Sequence, residues 1–259
     1  MTGVHKSAQQ GFSTQAVTYA QGRPDYPRQL TGWLTDALQI NSHSTVIDLG
    51  AGTGKFTRLL STVAPTLIAV EPVQAMGAQL KKQLPDVRLL SGTAEAIPLE
   101  EATADALVCA QAFHWFSTEA ALAEIHRVLK PEGRLGLIWN VRDESVDWVA
   151  AITEIITPYE GDTPRFHTGR WREAFTGEYF SAPEMTCFPY SHVGSPQEVI
   201  MDRFLSVSFI AALPAAEKAL VTEQLQSLIN THPALRGRET VAFPYQTQAY
   251  RSQRLTKKA

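Results

Sequence analysis

Residues 46–54 read Val-Ile-Asp-Leu-Gly-Ala-Gly-Thr-Gly, which is an apolar run followed by three alternating glycines. Its apolar first half predicts a β-strand over 45–49, and its alternating glycines predict a turn that leads into a helix. Glycine adopts positive φ at little cost, and its missing side chain lets a ligand approach the backbone. The helix that follows presents free N–H groups at its N-terminus. The stretch therefore predicts a strand, a ligand-binding turn and a helix in direct succession.

Further apolar runs of strand length follow this stretch, each starting about twenty residues after the last, which is the spacing of βαβ units. The predicted strands are 45–49, 66–70, 87–90, 106–110 and 134–139. Segments between them carry apolar residues at intervals of three and four, so each is predicted to bury one face of a helix. Parallel strands joined by right-handed crossovers imply an α/β sheet with helices on both faces.

The chain has 259 residues, which suits one elaborated domain, 1–259. We divide it into an N-terminal cap and first helix (1–40, the helix at about 28–40), a core (41–145) and a C-terminal part (146–259). In the last part the pattern predicts helices over 146–157, 171–179, 196–210 and 215–230, and strands over 185–190 and 241–250. Ligands bind at the carboxyl edge of such sheets, so the late helices at about 196–232 are predicted to form a lid there.

Charge and composition exclude several classes of protein. The 23 Lys and Arg and 26 Asp and Glu give a formal net charge of −3, without the basic field of a nucleic-acid-binding protein. No run reaches the roughly 18 apolar residues of a membrane span, and the polar N-terminus lacks a secretory signal. We expect a cytoplasmic monomer or homodimer with no nucleic acid or membrane partner. Cys109 and Cys187 have no metal-like spacing, so we expect no metal site and two buried thiols.

The glycine spacing argues against two common nucleotide sites. A dinucleotide fold has G-x-G-x-x-G, but the place of its third glycine is taken here by Lys55. A phosphate-binding P-loop requires Ser or Thr after Gly-Lys, and here Gly54-Lys55 precedes Phe56. The turn is therefore predicted to bind a different ligand.

Asp48-x-Gly50-x-Gly52-x-Gly54 after a first strand resembles the donor-binding motif of class I S-adenosylmethionine-dependent methyltransferases. Further matches follow in the family's order at 70–72, 92–98 and 124–133, and together they resemble its type 11 group over most of the first 145 residues. The resemblance implies a three-layer Rossmann-like fold with seven strands in the order 3-2-1-4-5-7-6, the last strand antiparallel. It also implies S-adenosyl-L-methionine as cofactor and S-adenosyl-L-homocysteine as product.

The resemblance assigns donor binding to the N-terminal cap and to the carboxyl ends of the first strands. The residues are Tyr19, Arg23, Asp48, Gly50, Ala51, Gly52, Thr53, Gly54, Glu71, Pro72, Thr93, Ala94, Glu95, Ala110, Gln111 and Ala112. At a strand end, Glu71 can accept hydrogen bonds from both ribose hydroxyls, although it could also be a solvent-exposed charge. Asp48 either orients the glycine turn or reaches the methionine amine, and Arg23 suits the methionine carboxylate. Glu95 could bond the adenine amino group or stay solvated.

The predicted fourth strand leads into Phe113-His114-Trp115-Phe116, which the resemblance places beside the transferred methyl group. His114 and Trp115 are the predicted catalytic residues. A histidine can act as a general base near neutral pH, and an aromatic face can complement a sulfonium cation. His114 could equally only pack and donate hydrogen bonds.

The acceptor pocket is predicted to contain Phe113, His114, Trp115, Asn140 and Arg142. Phe113 and Phe116 could instead be plugs of the hydrophobic core, and Asn140 could orient the acceptor or cap the next helix. An acceptor carboxylate would need a cationic clamp, for which the candidates are Arg142, Arg165, Arg170 and Arg172.

These features predict a methyltransferase that acts on an O, N or C nucleophile of a small-molecule acceptor. The alternatives are a non-catalytic S-adenosylmethionine-binding module, an RNA methyltransferase and a nicotinamide-dependent dehydrogenase. The acidic composition opposes the RNA enzyme, and the glycine spacing opposes the dehydrogenase.

Overall fold

The computed structural model describes residues 23–256, so the predicted donor residue Tyr19 lies outside the described residues. A seven-stranded sheet has the order β3-β2-β1-β4-β5-β7-β6. Its strands are β1 Thr45–Leu49, β2 Thr66–Val70, β3 Arg88–Leu90, β4 Ala104–Ala110, β5 Leu129–Arg142, β6 Glu184–Gly194 and β7 Val241–Gln253. β1 to β5 run parallel, and β7 is antiparallel to both of its neighbours. The predicted strand order and the antiparallel last strand are confirmed.

Helices lie on both faces of the sheet and at its carboxyl edge. The α-helices are α1 Leu30–Asp36, α2 Lys55–Leu60, α3 Gln74–Gln83, α4 Glu119–Val128, α5 Asp147–Ile156, α6 Arg203–Leu205, α7 Ser208–Ala211 and α8 Ala215–Thr231. Short 3-10 helices span Phe113–Trp115, Thr157–Tyr159, Phe166–Thr168 and Arg170–Ala174, and a π-helix spans Gln197–Asp202. Among residues 23–256, none of the helices has the length and apolar character needed to cross a bilayer.

α4 shows how the sequence specifies one of these helices. The Thr118 hydroxyl caps its N-terminus by accepting a 3.1 Å hydrogen bond from the Ala121 amide. Leu122, Ile125 and Val128, spaced three apart, are buried against one face of the sheet. α4 ends at Val128, and β5 begins at the next residue.

Two hydrophobic layers hold the sheet between its helices. On one face, α4 and the 3-10 helix Arg170–Ala174 pack against the core strands. On the other face, α1 and α2 cover the same strands. The core strands are therefore buried on both sides, as expected for a parallel sheet.

A separate hydrophobic cluster lies at the carboxyl end of β5. It joins α5, the π-helix, α6, α7 and α8 to the first half of β7. The register brings Tyr245 of β7 beside Arg142, the last residue of β5, so this cluster sits next to the carboxyl edge of the sheet. The predicted lid helices therefore pack on a small core of their own.

Three predicted helices are wrong in extent. The helix predicted at about 28–40 is limited to α1, Leu30–Asp36. The 171–179 helix is only the 3-10 helix Arg170–Ala174, because the backbone leaves the helical conformation at Phe175 (φ −85°, ψ 74°) and Gly177 follows with φ +87°. The 196–210 helix is divided into the π-helix, α6 and α7, and Val207 between α6 and α7 has an extended backbone. Its apolar residues are buried in the lid cluster, so tertiary packing overrides the helical pattern. The expectation of two buried thiols is also wrong, since Cys109 is buried but Cys187 is exposed on β6.

Candidate active site

A cavity opens at the carboxyl ends of β1, β2 and β4, and we call it the first cavity. Most of the predicted donor residues line it. They are Arg23, Asp48, Gly50, Ala51, Gly52, Thr53, Glu71, Pro72, Thr93, Ala94, Glu95, Ala110, Gln111 and Ala112. The topology explains this convergence, because the strand order reverses between β1 and β4 and leaves a crevice at that edge.

Residues 50–54 form the glycine turn, in which Gly50, Gly52 and Gly54 all have positive φ, between +57° and +89°. A Cβ on Gly50 would lie 2.8 Å from the Ala112 Cβ, so this glycine lets the turn approach the end of β4. A Cβ on Gly52 would have Met76 Cε as its nearest neighbour, at an ordinary van der Waals distance of 3.7 Å, so nothing in the described chain crowds this side of the turn, which faces the first cavity. Gly52 is thus the glycine whose bare backbone faces room for a ligand.

Gly54 does not line the first cavity, contrary to the donor-binding prediction. It precedes α2, and a Cβ there would lie 2.9 Å from Leu80 Cγ on α3. Its role is therefore to let α2 start close to α3.

Glu71 holds the glycine turn in place. One carboxylate oxygen accepts a 2.8 Å hydrogen bond from the Gly52 amide, and the other accepts one of 2.8 Å from the Val73 amide. The side chain is 8% exposed, and burial raises its pKa. A carboxylate has about four acceptor sites, so two remain for further donors such as ribose hydroxyls.

Asp48 is fully buried beneath the glycine turn. Its Oδ2 accepts a 2.6 Å hydrogen bond from the Thr57 hydroxyl on α2, and its Oδ1 has no hydrogen-bond partner among residues 23–256. Burial raises the pKa of Asp48 to about 7, an effect that Glu71 reinforces and the Thr57 bond opposes. Its observed partner is thus a helix side chain and not an amide of the glycine turn.

Residues 23–27, the cap segment, close one side of the first cavity and are held from two directions. The Lys55 ammonium donates a 2.5 Å hydrogen bond to the Arg23 carbonyl, and the Arg58 guanidinium lies 2.9 Å from the Asp25 carboxylate. From the other side, the Asn140 amide donates a 2.9 Å hydrogen bond to the Asp25 carbonyl. Arg23 is thereby held beside the glycine turn.

A second cavity adjoins the first beyond the end of β4. Arg23, Gln111, Trp115 and Arg203 line both cavities, so the two meet at these side chains. Gln111 has φ +57°, a strained value for a residue other than glycine, and such strain is concentrated at functional sites. The predicted residues His114, Asn140 and Arg142 also line the second cavity.

His114 is held by a neighbouring tryptophan. The Trp139 indole N–H donates a 3.1 Å hydrogen bond to His114 Nδ1. Burial, then the positive charges of Arg165 and Arg23, lower the pKa of His114 to about 3. An indole can only donate, so Nδ1 must accept and the neutral ring carries its proton on Nε2. To act as a general base, His114 would have to give up this bond.

Phe113 lines neither cavity, contrary to the acceptor-pocket prediction. It is fully buried in the core, with its ring 5.7 Å from that of Phe116 and 6.4 Å from that of Trp171. Phe113 is therefore part of the hydrophobic core, which was the alternative to a place in the acceptor pocket. Phe116 is half-buried and borders the first cavity.

Both polar atoms of the Asn140 side chain form hydrogen bonds within the protein. Besides its bond to Asp25, its Oδ1 accepts a 2.6 Å hydrogen bond from the Thr247 hydroxyl of β7. It therefore ties the cap segment to the sheet. Of the predicted clamp residues, Arg142 and Arg165 line the second cavity, while Arg170 and Arg172 line neither cavity.

Sequence reasoning missed several residues of both cavities. In the first cavity these are Lys55, Phe56, Val73, Met76 and Arg203, the last of which also lines the second cavity. Lys55 could have been predicted from the sequence, because it stands where a dinucleotide motif has its third glycine, directly after the glycine turn. Arg203 carried none, since its position depends on how the broken lid helices pack.

Comparison with known proteins identifies the family. A family model described as a methyltransferase domain matches residues 47–137. The chain is 39% identical to an uncharacterized methyltransferase-like protein of Schizosaccharomyces pombe, over 94% of this chain and 95% of that protein. It is 36% identical to an uncharacterized methyltransferase of Mycobacterium tuberculosis, over 97% of this chain and 99% of that protein.

The chain belongs to the class I S-adenosylmethionine-dependent methyltransferase family. The fold agrees with two solved structures. A putative type II methyltransferase of Anaeromyxobacter dehalogenans has a TM-score of 0.62 at 21% identity, over 90% of this chain and 96% of that one. An N-methyltransferase of Haemonchus contortus, in complex with phosphomonomethylethanolamine and S-adenosylhomocysteine, has a TM-score of 0.59 at 13% identity, over 99% of this chain and 61% of that one.

The segment that matches the methyltransferase domain contains most residues of the first cavity but few of the second. Residues 47–137 include the glycine turn, Glu71 and His114. Arg142, Arg165 and Arg203, which line the second cavity, all lie after the matched residues. The second cavity of this methyltransferase is therefore built largely from residues that follow the matched segment.

Proposed function

We propose that this methyltransferase transfers a methyl group from S-adenosylmethionine to an oxygen, nitrogen or carbon nucleophile of a small-molecule acceptor. The observation that carries the proposal is the meeting of the two cavities at Gln111 and Trp115. One cavity contains the predicted donor residues, and the other contains His114. A donor and an acceptor can therefore be held side by side and away from bulk water.

The residues of the first cavity fit the proposed donor. Glu71 has acceptor sites left for ribose hydroxyls, the open space at Gly52 admits a ligand to the backbone, and Arg23 can pair with a carboxylate. Val73, Met76 and Ala94 supply apolar surface for a base. S-adenosylmethionine supplies a methyl group that its sulfonium has already activated.

The chain's own contribution is then positioning. Aligning two reactants in a closed site can lower a barrier by about 7–11 kcal/mol. Trp115, which borders both cavities, presents an aromatic ring where a cation would lie. In its neutral form His114 keeps a proton on Nε2, so its proposed role is to donate a hydrogen bond that orients the acceptor.

Calorimetric titration of the ligand-stripped protein with S-adenosylhomocysteine, with NADH as control, tests the proposal. We expect micromolar binding of S-adenosylhomocysteine and none of NADH. The absence of S-adenosylhomocysteine binding by folded protein would contradict the proposal. Binding without methyl transfer across a broad panel of acceptors would favour the non-catalytic module.

A further inference from the structure

The second cavity is strongly cationic. Among the described residues, four arginines line it, namely Arg23, Arg142, Arg165 and Arg203, against one carboxylate, Glu144. Arg142 Nε lies 3.5 Å from Glu144, whose side chain is half exposed, and Arg165 Nε lies 3.6 Å from Glu160 beside the cavity. These two contacts are ion pairs, but they are too long for strong hydrogen bonds.

Arg203 is the clearest case of an uncompensated charge. It is 9% exposed, and its Nε and Nη1 have no hydrogen-bond partner among residues 23–256. No carboxylate of the described chain forms an ion pair with it, and its guanidinium carbon lies 5.3 Å from the centre of the Phe204 ring. A buried charge without a counter-charge has a large desolvation cost, so such a side chain points to an absent anion.

The arginines also act on one another. Burial lowers the pKa of Arg142, and the charge of Arg203 lowers it further. Burial likewise lowers the pKa of Arg165 to about 10, with Glu160 opposing this effect and Arg142 and Arg203 adding to it. The three guanidinium groups are therefore close enough to repel each other, and an anion between them would relieve that repulsion.

Arg23 and Arg203 line both cavities, so either one could also serve the carboxylate of a donor. Arg142 and Arg165 line only the second cavity and are not available to the first. A donor carboxylate would therefore not reach them, and Arg142 and Arg165 keep only the long contacts to Glu144 and Glu160. Together with the unpaired charge of Arg203, they favour a second anionic group on the acceptor side.

We propose that the acceptor is an organic oxyanion, a carboxylate or a phosphate monoester, bound by Arg142, Arg165 and Arg203 in the second cavity. That the bound anion is the methyl acceptor rests on the proposed function. Anion binding itself can be tested without any methyl transfer. Planar guanidinium groups can each form paired hydrogen bonds with such an oxyanion. Arg203 comes from the lid, so anion binding joins the lid to the sheet edge.

Isothermal titration at constant ionic strength tests the site directly. The probes are succinate, tricarballylate, inorganic phosphate and the neutral analogue succinamide, each with and without saturating S-adenosylhomocysteine. We expect at least one anion to bind and succinamide not to bind. The carboxylate and phosphate arms show which oxyanion the site prefers. Equal binding of succinamide, or no binding of any anion, would overturn the inference.

Variants then locate the site. Arg165→Met and Arg203→Met should each weaken anion binding at least about tenfold, because each removes a charged partner in a buried site. Arg238→Met, at an exposed arginine outside both cavities, is the matched control and should bind the anion as the unaltered protein does. Unchanged anion affinity in Arg165→Met and Arg203→Met would overturn the inference.

Two further measurements separate the possible failures. Arg203→Met should keep or raise the Tm of the anion-free protein, since it removes an unpaired buried charge, whereas a structural arginine would lower it. Arg165→Met should bind S-adenosylhomocysteine normally. If the anion binds but S-adenosylhomocysteine does not, the proposed function is wrong and the anion site is supported. If S-adenosylhomocysteine binds but no anion does, only the anion site is overturned.

Discussion

The indole of Trp139 donates a hydrogen bond of 3.1 Å to Nδ1 of His114. This bond determines the state of the histidine, because it uses the lone pair that a general base would need. Trp139 is itself fully buried, with its ring 4.9 Å from that of Trp171 and 4.6 Å from that of Phe166. The packed tryptophan therefore holds His114 as a hydrogen-bond donor at the edge of the second cavity.

We expect the His114 ring to stay neutral between about pH 5 and pH 8, since its pKa is lowered to about 3. NMR titration of protein with labelled histidine should show no inflection for His114 in this range. The His114→Gln variant assigns its signal. In Trp139→Phe, the signal should change because the indole donor is gone. An inflection near the ordinary value of about 6.5 in the unaltered protein would contradict this role.

Gly52→Val should abolish S-adenosylhomocysteine binding in calorimetry while the protein remains folded. The branched side chain would enter the open space beside the glycine turn, and φ at this position is +57°. Gly237→Val is the control for strain, because Gly237 has φ +69° with no neighbour within 4 Å of its added Cβ. Both variants should lose stability, but only Gly52→Val should lose binding. Retained affinity would show that the ligand lies elsewhere.

Asp48→Asn should stabilise the ligand-free protein at alkaline pH. Folding raises the pKa of Asp48 from 3.8 to about 7, so the folded state binds the extra proton between these values. Stability is then lost as pH rises through this window, by up to about 4 kcal/mol at about 1.4 kcal/mol per pKa unit. Thermal melts should show a higher Tm than the unaltered protein at about pH 8 and little difference at about pH 4.

The control for this comparison is Asp86→Asn, at an exposed carboxyl. Its Tm should follow that of the unaltered protein across the same pH range. An Asp48→Asn variant that is less stable than the unaltered protein at about pH 8 would show that the ionised Asp48 contributes to the fold.

Lys55→Met should weaken S-adenosylhomocysteine binding by about tenfold, because it frees the Arg23 carbonyl and loosens the cap segment. Arg58→Met is the matched control. Arg58 contacts Asp25 of the same segment, but its side chain is more than half exposed, and an exposed ion pair contributes little. Calorimetry should therefore separate the two variants. Equal losses would mean that the segment is held by both contacts alike.

Phe113→Ala should destabilise the protein by about 3–5 kcal/mol, since it removes a fully buried ring. S-adenosylhomocysteine affinity of the folded variant should change little, because Phe113 lines neither cavity. Phe116→Ala provides the contrast, as Phe116 is half-buried and borders the first cavity. It should cost less stability and more affinity. Denaturant unfolding measures the loss of stability, and calorimetry measures the loss of affinity. If Phe113→Ala lost more affinity and less stability than Phe116→Ala, Phe113 would be a pocket residue as first predicted.

The amino-acid sequence was enough to predict the central sheet and most of the strand-end residues that line the first cavity. The strands at Thr45–Leu49 and Thr66–Val70 match their predicted bounds. This part was readable because strands buried on both faces are short apolar runs, and a turn with positive φ requires glycine. Glu71 was readable as well, since a polar residue at the end of a buried strand must lie at the sheet edge.

The sequence predicted several residues of the second cavity, but how they are arranged there follows from tertiary packing. Phe113, His114, Trp115 and Phe116 are adjacent in sequence, yet packing sends Phe113 into the core and leaves His114 under Trp139. Arg203 reaches both cavities from a lid whose helices break where the apolar pattern is continuous. Periodicity reports which face of an element is buried, but the meeting of distant side chains depends on how separate elements pack.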